Sequence, residues 1–129
     1  MIETGAYNYI NVLSQAASAS ATRNEVLSNN LANVDTPGFK RQDVTFESFL
    51  NSALAGHSTL DTAVDNIRVG NLRPSIYTDT SSLSYRLDGN NVDVETENAY
   101  LAENQIRYYT LIDSINQEFS RLKTAISKS

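Results

Sequence analysis

The chain has one histidine, His57, no cysteine, and its densest run of acids is Asp93-Val94-Glu95-Thr96-Glu97. Any chemistry would have to start from these residues. A lone imidazole can act as a general base or metal ligand, but no carboxylate cluster lies near His57 in the sequence, and it follows the helix-ending pair Ala55-Gly56 in a polar loop. A structural or solvated role follows. The absence of cysteine excludes a thiolate nucleophile, a disulfide framework and a cysteine-based metal site. Asp88-Gly89-Asn90-Asn91 opens like a calcium loop and then departs from it, because the third alternate ligand would be Val92 and no glycine stands at the sixth position. The acids from 93 to 97 are spread around one helical turn, with no nucleophile, base or pocket wall to shift their pKa values. They suit a helix start instead: Asp93 caps free amides, while Glu95 and Glu97 put negative charge at the positive end of the helix dipole. Tyr100, Tyr108, Tyr109 and Phe119 share helical spacing and are packing residues rather than a cofactor box. No catalytic, cofactor-binding or metal-ligating set can be assembled.

Composition narrows the classes further. The chain has 129 residues, enough for one domain with a modest core, but it is only 40% hydrophobic and has no tryptophan, which is thin for an enzyme pocket. Fifteen acids against ten bases give a net charge of -5, which repels nucleic acid and anionic lipid. No apolar run approaches the roughly 20 residues that span a bilayer, so direct membrane insertion is not expected. Met1 to Ala21 lacks the basic start and apolar stretch of a secretion signal, so export would proceed without a cleaved signal peptide.

The elements expected from periodicity are two long helices around a polar middle. Ile10, Leu13, Ala17, Ser20, Asn24, Leu27, Leu31 and Val34 recur at alternating spacings of three and four, the coiled-coil repeat. Leu101, Gln105, Tyr108, Ile112, Ile115, Phe119, Leu122 and Ile126 do the same near the other end. Phe46, Phe49, Leu50 and Leu54 predict a short helix ended by Ala55-Gly56. Lys40 to Phe46 is compatible with either a strand or a connector. From 58 to 91, short alternations through Ile67, Val69, Ile76, Tyr77, Leu83, Tyr85 and Leu87 indicate an irregular or β-containing region, with Ser84 to Asp88 the best strand candidate. The expected fold is therefore mainly α. Long N- and C-terminal heptad helices, 1–36 and 93–129, pack as one coiled-coil-like core domain, and 37–92 supplies the turn, a short helix and the irregular middle.

The run Ser28-Asn29-Asn30-Leu31-Ala32-Asn33-Val34-Asp35-Thr36-Pro37-Gly38-Phe39-Lys40 joins the first helix to all that follows. Pro37 pushes Thr36 out of the α region, so the helix is expected to end near Val34 or Asp35. Pro37 also presets the second position of a turn and Gly38 accepts the positive φ of the third, predicting a type II turn over Thr36–Phe39 whose amides Asp35 can bond.

This run resembles the signature of the bacterial flagellar axial proteins of rod, hook and hook-filament junction. Asn29, Asn30, Leu31, Ala32, Asn33, Thr36, Pro37, Gly38, Phe39 and Lys40 carry the likeness, with Ser28 and Asp35 as small departures. Asn91-Val92-Asp93, with Glu97 close behind, is similar to the second signature of that family. Leu101 to Tyr108, followed by Phe119, Leu122, Lys123, Ala125 and Ile126, resembles its short proximal rod subunits, which lack the large inserted domains of other members. The resemblance implies a non-enzymatic subunit of the flagellar basal body, in a rod that spans the periplasm. Its partners would be copies of itself, other rod and basal-body proteins and the flagellar type III export apparatus, with no cofactor. The residues suggest a mechanism of their own. Val12, Val26, Ile106 and Leu111 lie off the main seams, so one partner helix cannot cover every apolar face, and the remainder would meet neighbouring subunits in an open helical assembly. The seam residues Ile10, Leu13, Leu27, Leu31, Val34, Leu101, Tyr108, Ile112, Ile115, Phe119, Leu122 and Ile126 would carry it. The rival reading is a soluble helical adaptor or secretion chaperone that binds a partner helix in a groove.

Overall fold

A computed structural model describes residues 2–67, 72–81 and 86–128, with side chains from residue 7 onward. Two helices dominate it, α1 (Ile2–Ala32) and α4 (Val94–Ser127). Between them come strand β1 (Gln42–Thr45), helices α2 (Glu47–Leu54) and α3 (Leu60–Asp65), and strand β2 (Ser75–Thr78). The long helices run antiparallel: Asn30 at the end of α1 meets Glu97 at the start of α4, and Ser20 meets Asn104.

Each boundary has a local cause. Asp93 caps α4 by accepting from the Glu95 and Thr96 amides at 3.0 and 3.4 Å. Thr59 caps α3 by accepting from Thr62 N at 3.2 Å. After α2, Ala55 leaves the helix in an extended conformation and Gly56 takes φ 84°. α1 ends at Ala32, two residues short of Val34, because its last turn tightens: the Val34 amide reaches only back to Leu31 O, at 3.3 Å.

The Thr36–Phe39 turn has the expected geometry, with Gly38 at φ 74° and the Phe39 amide donating to Thr36 O at 3.2 Å. Asp35 does not bond the turn's amides. Lys40–Phe46, compatible with a strand or a connector, contains a strand. β1 pairs antiparallel with β2 in the register Gln42–Thr78, Asp43–Tyr77, Val44–Ile76 and Thr45–Ser75. The strand expected over Ser84 to Asp88 is not where β2 forms. Ser84 and Tyr85, like Val69 and Leu83, lie outside the described residues, and Arg86–Gly89 is a turn in which the Gly89 amide donates to Arg86 O.

A two-stranded sheet is marginal alone, and here it lies against α1 together with α2 and α3. Ala19, Phe46 and Leu72 form a buried cluster, and Val12, Ala16, Leu50, Ala53 and Ile67 pack around it. This corrects one expectation. Val26 is buried and Val12 packs on that cluster, so the second face of α1 is covered by the chain's own middle segment and needs no neighbour.

The seam of α4 is also corrected. Leu101, Tyr108, Ile112 and Ile115 are half-buried and Leu122 is buried, but Gln105, Phe119 and Ile126 are exposed. The inward stripe is instead Glu97, Leu101, Asn104, Tyr108, Leu111, Ile115, Glu118 and Leu122. Because Glu97 and Asn104 are polar, an apolar-only pattern rotated the face by about one residue. On α1, Ile10, Ala17, Ser20 and Leu27 are buried and Leu13, Asn24, Leu31 and Val34 half-buried, so the expected stripe does face inward.

Candidate functional site: the polar corner joining the two long helices

Asn30 is fully buried at the end of α1, and its amide behaves like a missing strand. Its Oδ1 accepts from Gln42 N at 2.9 Å and its Nδ2 donates to Gln42 O at 2.7 Å, so the edge of β1 that faces away from β2 is closed by one side chain. The same Nδ2 donates to Glu97 Oε2 at 3.1 Å.

Glu97 is also fully buried, and Arg41 Nε donates to its Oε1. Arg41 further donates from Nη1 to Asp79 at 2.6 Å and from Nη2 to Asp43 at 3.1 Å. Arg23 of α1 closes the other side of Asp43, with Nε to Oδ1 at 2.7 Å and Nη2 to Oδ2 at 3.2 Å. Tyr100 of α4 sits 5.5 and 5.4 Å from the guanidinium carbons of Arg23 and Arg41, within cation–π range of both. One network thus ties α1, both strands and α4. Burial opposes the charge on Arg41, yet the hydrogen bonds it donates to Glu97, Asp43 and Asp79 outweigh it and raise its pKa above the usual arginine value. Burial pushes the Asp43 carboxyl up, but Arg23, the Val44 amide and Arg41 pull it further down, so it ends below the usual range. Asp79 is lowered by hydrogen bonds from the Ser81 hydroxyl and amide and from Arg41.

The second half of the corner belongs to Asn90 and Asn91. Asn90 Nδ2 donates to the Asn33, Val34 and Thr36 carbonyls at 2.9, 3.0 and 2.9 Å, serving the orphan acceptors at the end of α1. Its Oδ1 accepts from Val92 N at 2.7 Å. Asn91 accepts from Arg41 N at 2.7 Å and donates to Asp79 O at 2.8 Å. The Gly38 amide donates to Asp88 O at 2.7 Å, the Asn91 amide to Phe39 O at 3.3 Å, and the Lys40 ammonium to Gly89 O.

Both sequence signatures therefore meet in one place. Asn30, Thr36, Gly38, Phe39 and Lys40 of the first touch the 88–97 region, and Asn91 and Glu97 of the second answer them. Asn33 turns back to Asn29 O at 2.8 Å and accepts from the Thr36 hydroxyl at 3.1 Å. Ala32 and Pro37 are exposed and Leu31 is half-buried against its neighbours. Val92 is buried beneath the corner. Glu97 does more than face the helix dipole, and Lys40 is spent within the subunit. Sequence reasoning missed Arg23, Arg41, Asp43 and Asp79. Arg41 and Asp43 did carry a signal: two apart on a strand, they share a face, and opposite charges there can pair. The arrangement has no free nucleophile or base. It fixes the angle at which the chain leaves α1, crosses the sheet and enters α4.

Comparisons with known proteins agree with a structural role. The family described as "Flagella basal body rod protein" matches residues 10–40, the run from the first seam residue to Lys40. The flagellar basal body rod protein FlgB of Bacillus subtilis is 34% identical over 117 residues, covering 89% of this chain and 90% of that protein. FlgB of Cereibacter sphaeroides is 34% identical over 126 residues, 95% of this chain and 97% of its own length. FlgB of Aeromonas hydrophila is 35% identical over 120 residues, 86% of each. With this identity along nearly the whole length of several relatives, and with both signatures engaged in one corner, the chain belongs to the FlgB family of flagellar basal body rod proteins.

Proposed function

We propose that this protein, a non-enzymatic structural subunit of the flagellar basal body rod as its family implies, builds the proximal part of the drive shaft through the outer face of its C-terminal helix. The observation that carries this reading is on α4. Its inner face is taken by α1, yet Ile106 and Tyr109 stand exposed on the opposite side. Exposed apolar residues on one helix face mark a contact surface. The contact is heterologous, since an open shaft needs a rotation that does not close.

Its partners are other copies and other rod and basal-body proteins, reached after type III export. No helix among the described residues is long and apolar enough to cross a membrane. Relatives named as rod proteins favour this structural role over the helical adaptor or chaperone. The test is a variant carrying Ile106→Asp and Tyr109→Asp. Both positions are exposed, so the monomer keeps its stability and its export, and rods fail to extend. Normal rods with this variant would overturn the proposed contact face.

A further inference from the structure

The face of α4 that turns toward α2 borders an open groove of about 680 Å³, floored by α1. Ala16, Ala19 and Ser20 form that floor, and their small side chains are the reason the space exists. Phe46 and Leu50 give one apolar wall and Leu111 the other. Two features show that the groove is not finished by its own chain. Asn104, fully buried and lining it, donates from Nδ2 to Ser20 O at 2.7 Å but leaves its Oδ1 buried without a partner among the described residues. Across the mouth, Arg107 reaches from α4 to Glu47 of α2 and to Glu103 on its own helix. Both acids are more than 60% exposed, and exposed pairs of this kind are weak and easily exchanged.

We infer that this groove receives the last turns of α4 from a second copy of the chain, with Phe119 entering between the apolar walls and Lys123 reaching the acids at the mouth. Charge complementarity selects this occupant. From Phe119 to Lys128 the chain carries Arg121, Lys123 and Lys128 and no acid, while the groove is lined by Asp43, Glu47 and Glu103 against Arg23 and Arg107, with Arg23 and Asp43 paired to each other. Phe119 and Lys123 lie one turn apart on the same side of α4, and Phe119 is 51% exposed. Groove and tail are different surfaces of one chain, so the contact is heterologous and propagates. It rests on the rod-subunit reading and assigns the two halves of one of its contacts.

The absence of cysteine makes a clean test possible. Full-length chains carrying Asn51→Cys, at the groove rim, are mixed under mild oxidation with chains carrying Phe119→Cys or, as control, Ile106→Cys. The expected result is a disulfide-linked pair at least tenfold more abundant with Phe119→Cys than with Ile106→Cys. In parallel, Glu47→Lys with Glu103→Lys, and Lys123→Glu with Lys128→Glu, alter only exposed side chains. Each of these two variants alone should stay monomeric in sedimentation at concentrations where the unmodified chain associates, and an equimolar mixture of the two should associate again. Equal cross-linking of both cysteine partners, no association of the unmodified chain, or no rescue in the mixture would overturn the assignment. Rods that still depend on Ile106 and Tyr109 would then show that the subunit's role stands without this groove.

Discussion

Where α4 begins, its inward face carries the buried carboxylate of Glu97 with both oxygens hydrogen-bonded; where it ends, the inward face closes on one buried side chain, Leu122, and apolar residues are left exposed. At the first end Glu97 is held by Arg41 and Asn30, and the guanidinium of Arg41 is shared by three carboxylates. At the other, Phe119 and Ile126 are about half exposed, and Arg121 pairs with Glu118 of its own helix. The contrast separates two jobs within one helix. Buried, satisfied polar groups tolerate little change of angle, because each lost partner leaves a desolvated group. An apolar face open to water imposes no angle and accepts a neighbour.

The largest effect should come from breaking the corner. Glu97→Ala leaves Arg41 one carboxylate short and the Asn30 amide with only Gln42 O to donate to, and should cost about 3–5 kcal/mol in urea unfolding. Phe119→Ala, at the other end of the same helix, should change the monomer by less than about 0.5 kcal/mol. Similar losses from both substitutions would erase the distinction.

Acid sharpens the same comparison. Asp43 and Asp79 have folded pKa values below their unfolded ones, so their contribution is present above an unfolded pKa of about 4 and is lost as pH falls through the lowered folded values. Urea midpoints should therefore drop steeply below about pH 4, and Asp43→Asn should flatten that limb while lowering stability at pH 7. An acid limb unchanged in this variant would remove the network as its cause.

Asn90→Ala withdraws one donor from three carbonyls at the end of α1 and should cost about 1–3 kcal/mol. The turn gives an effect of similar size by a different route. Gly38 has φ 74° with open space where a Cβ would stand, so the penalty is conformational alone. Gly38→Val should cost about 1–3 kcal/mol and Gly38→Asn markedly less, because asparagine tolerates the left-handed region. Equal thermal midpoints for the two would show that the positive φ is not what glycine supplies.

The parts of the fold that were legible in the sequence are those set by neighbours along the chain. The inward stripe of α1, the glycine after α2, the Asp93 cap and the type II turn each follow from residues within a turn or two of one another. β2 was missed because several short alternations between 58 and 91 were equivalent, and only pairing with β1 chooses Ser75–Thr78. The α4 face was misread because Glu97 and Asn104 are buried, and their partners, Asn30, Arg41 and Ser20, are 56 to 84 residues away. Asn30 and Glu97 stood out only through their likeness to a family signature. That Asn30 substitutes for a strand, and that Arg41 binds three acids drawn from β1, the residue after β2 and α4, depends on tertiary approach that no local pattern encodes.

Residue-resolved amide hydrogen exchange of the unassembled full-length chain tests the central claim, that the subunit is locked at its corner and open at the end of α4. The slowest amides should lie at residues 26–33 and 97–104, with protection falling steadily along α4 and exchange fastest beyond Phe119. Uniform protection along α4, or slower exchange beyond Phe119 than around Glu97, would contradict it.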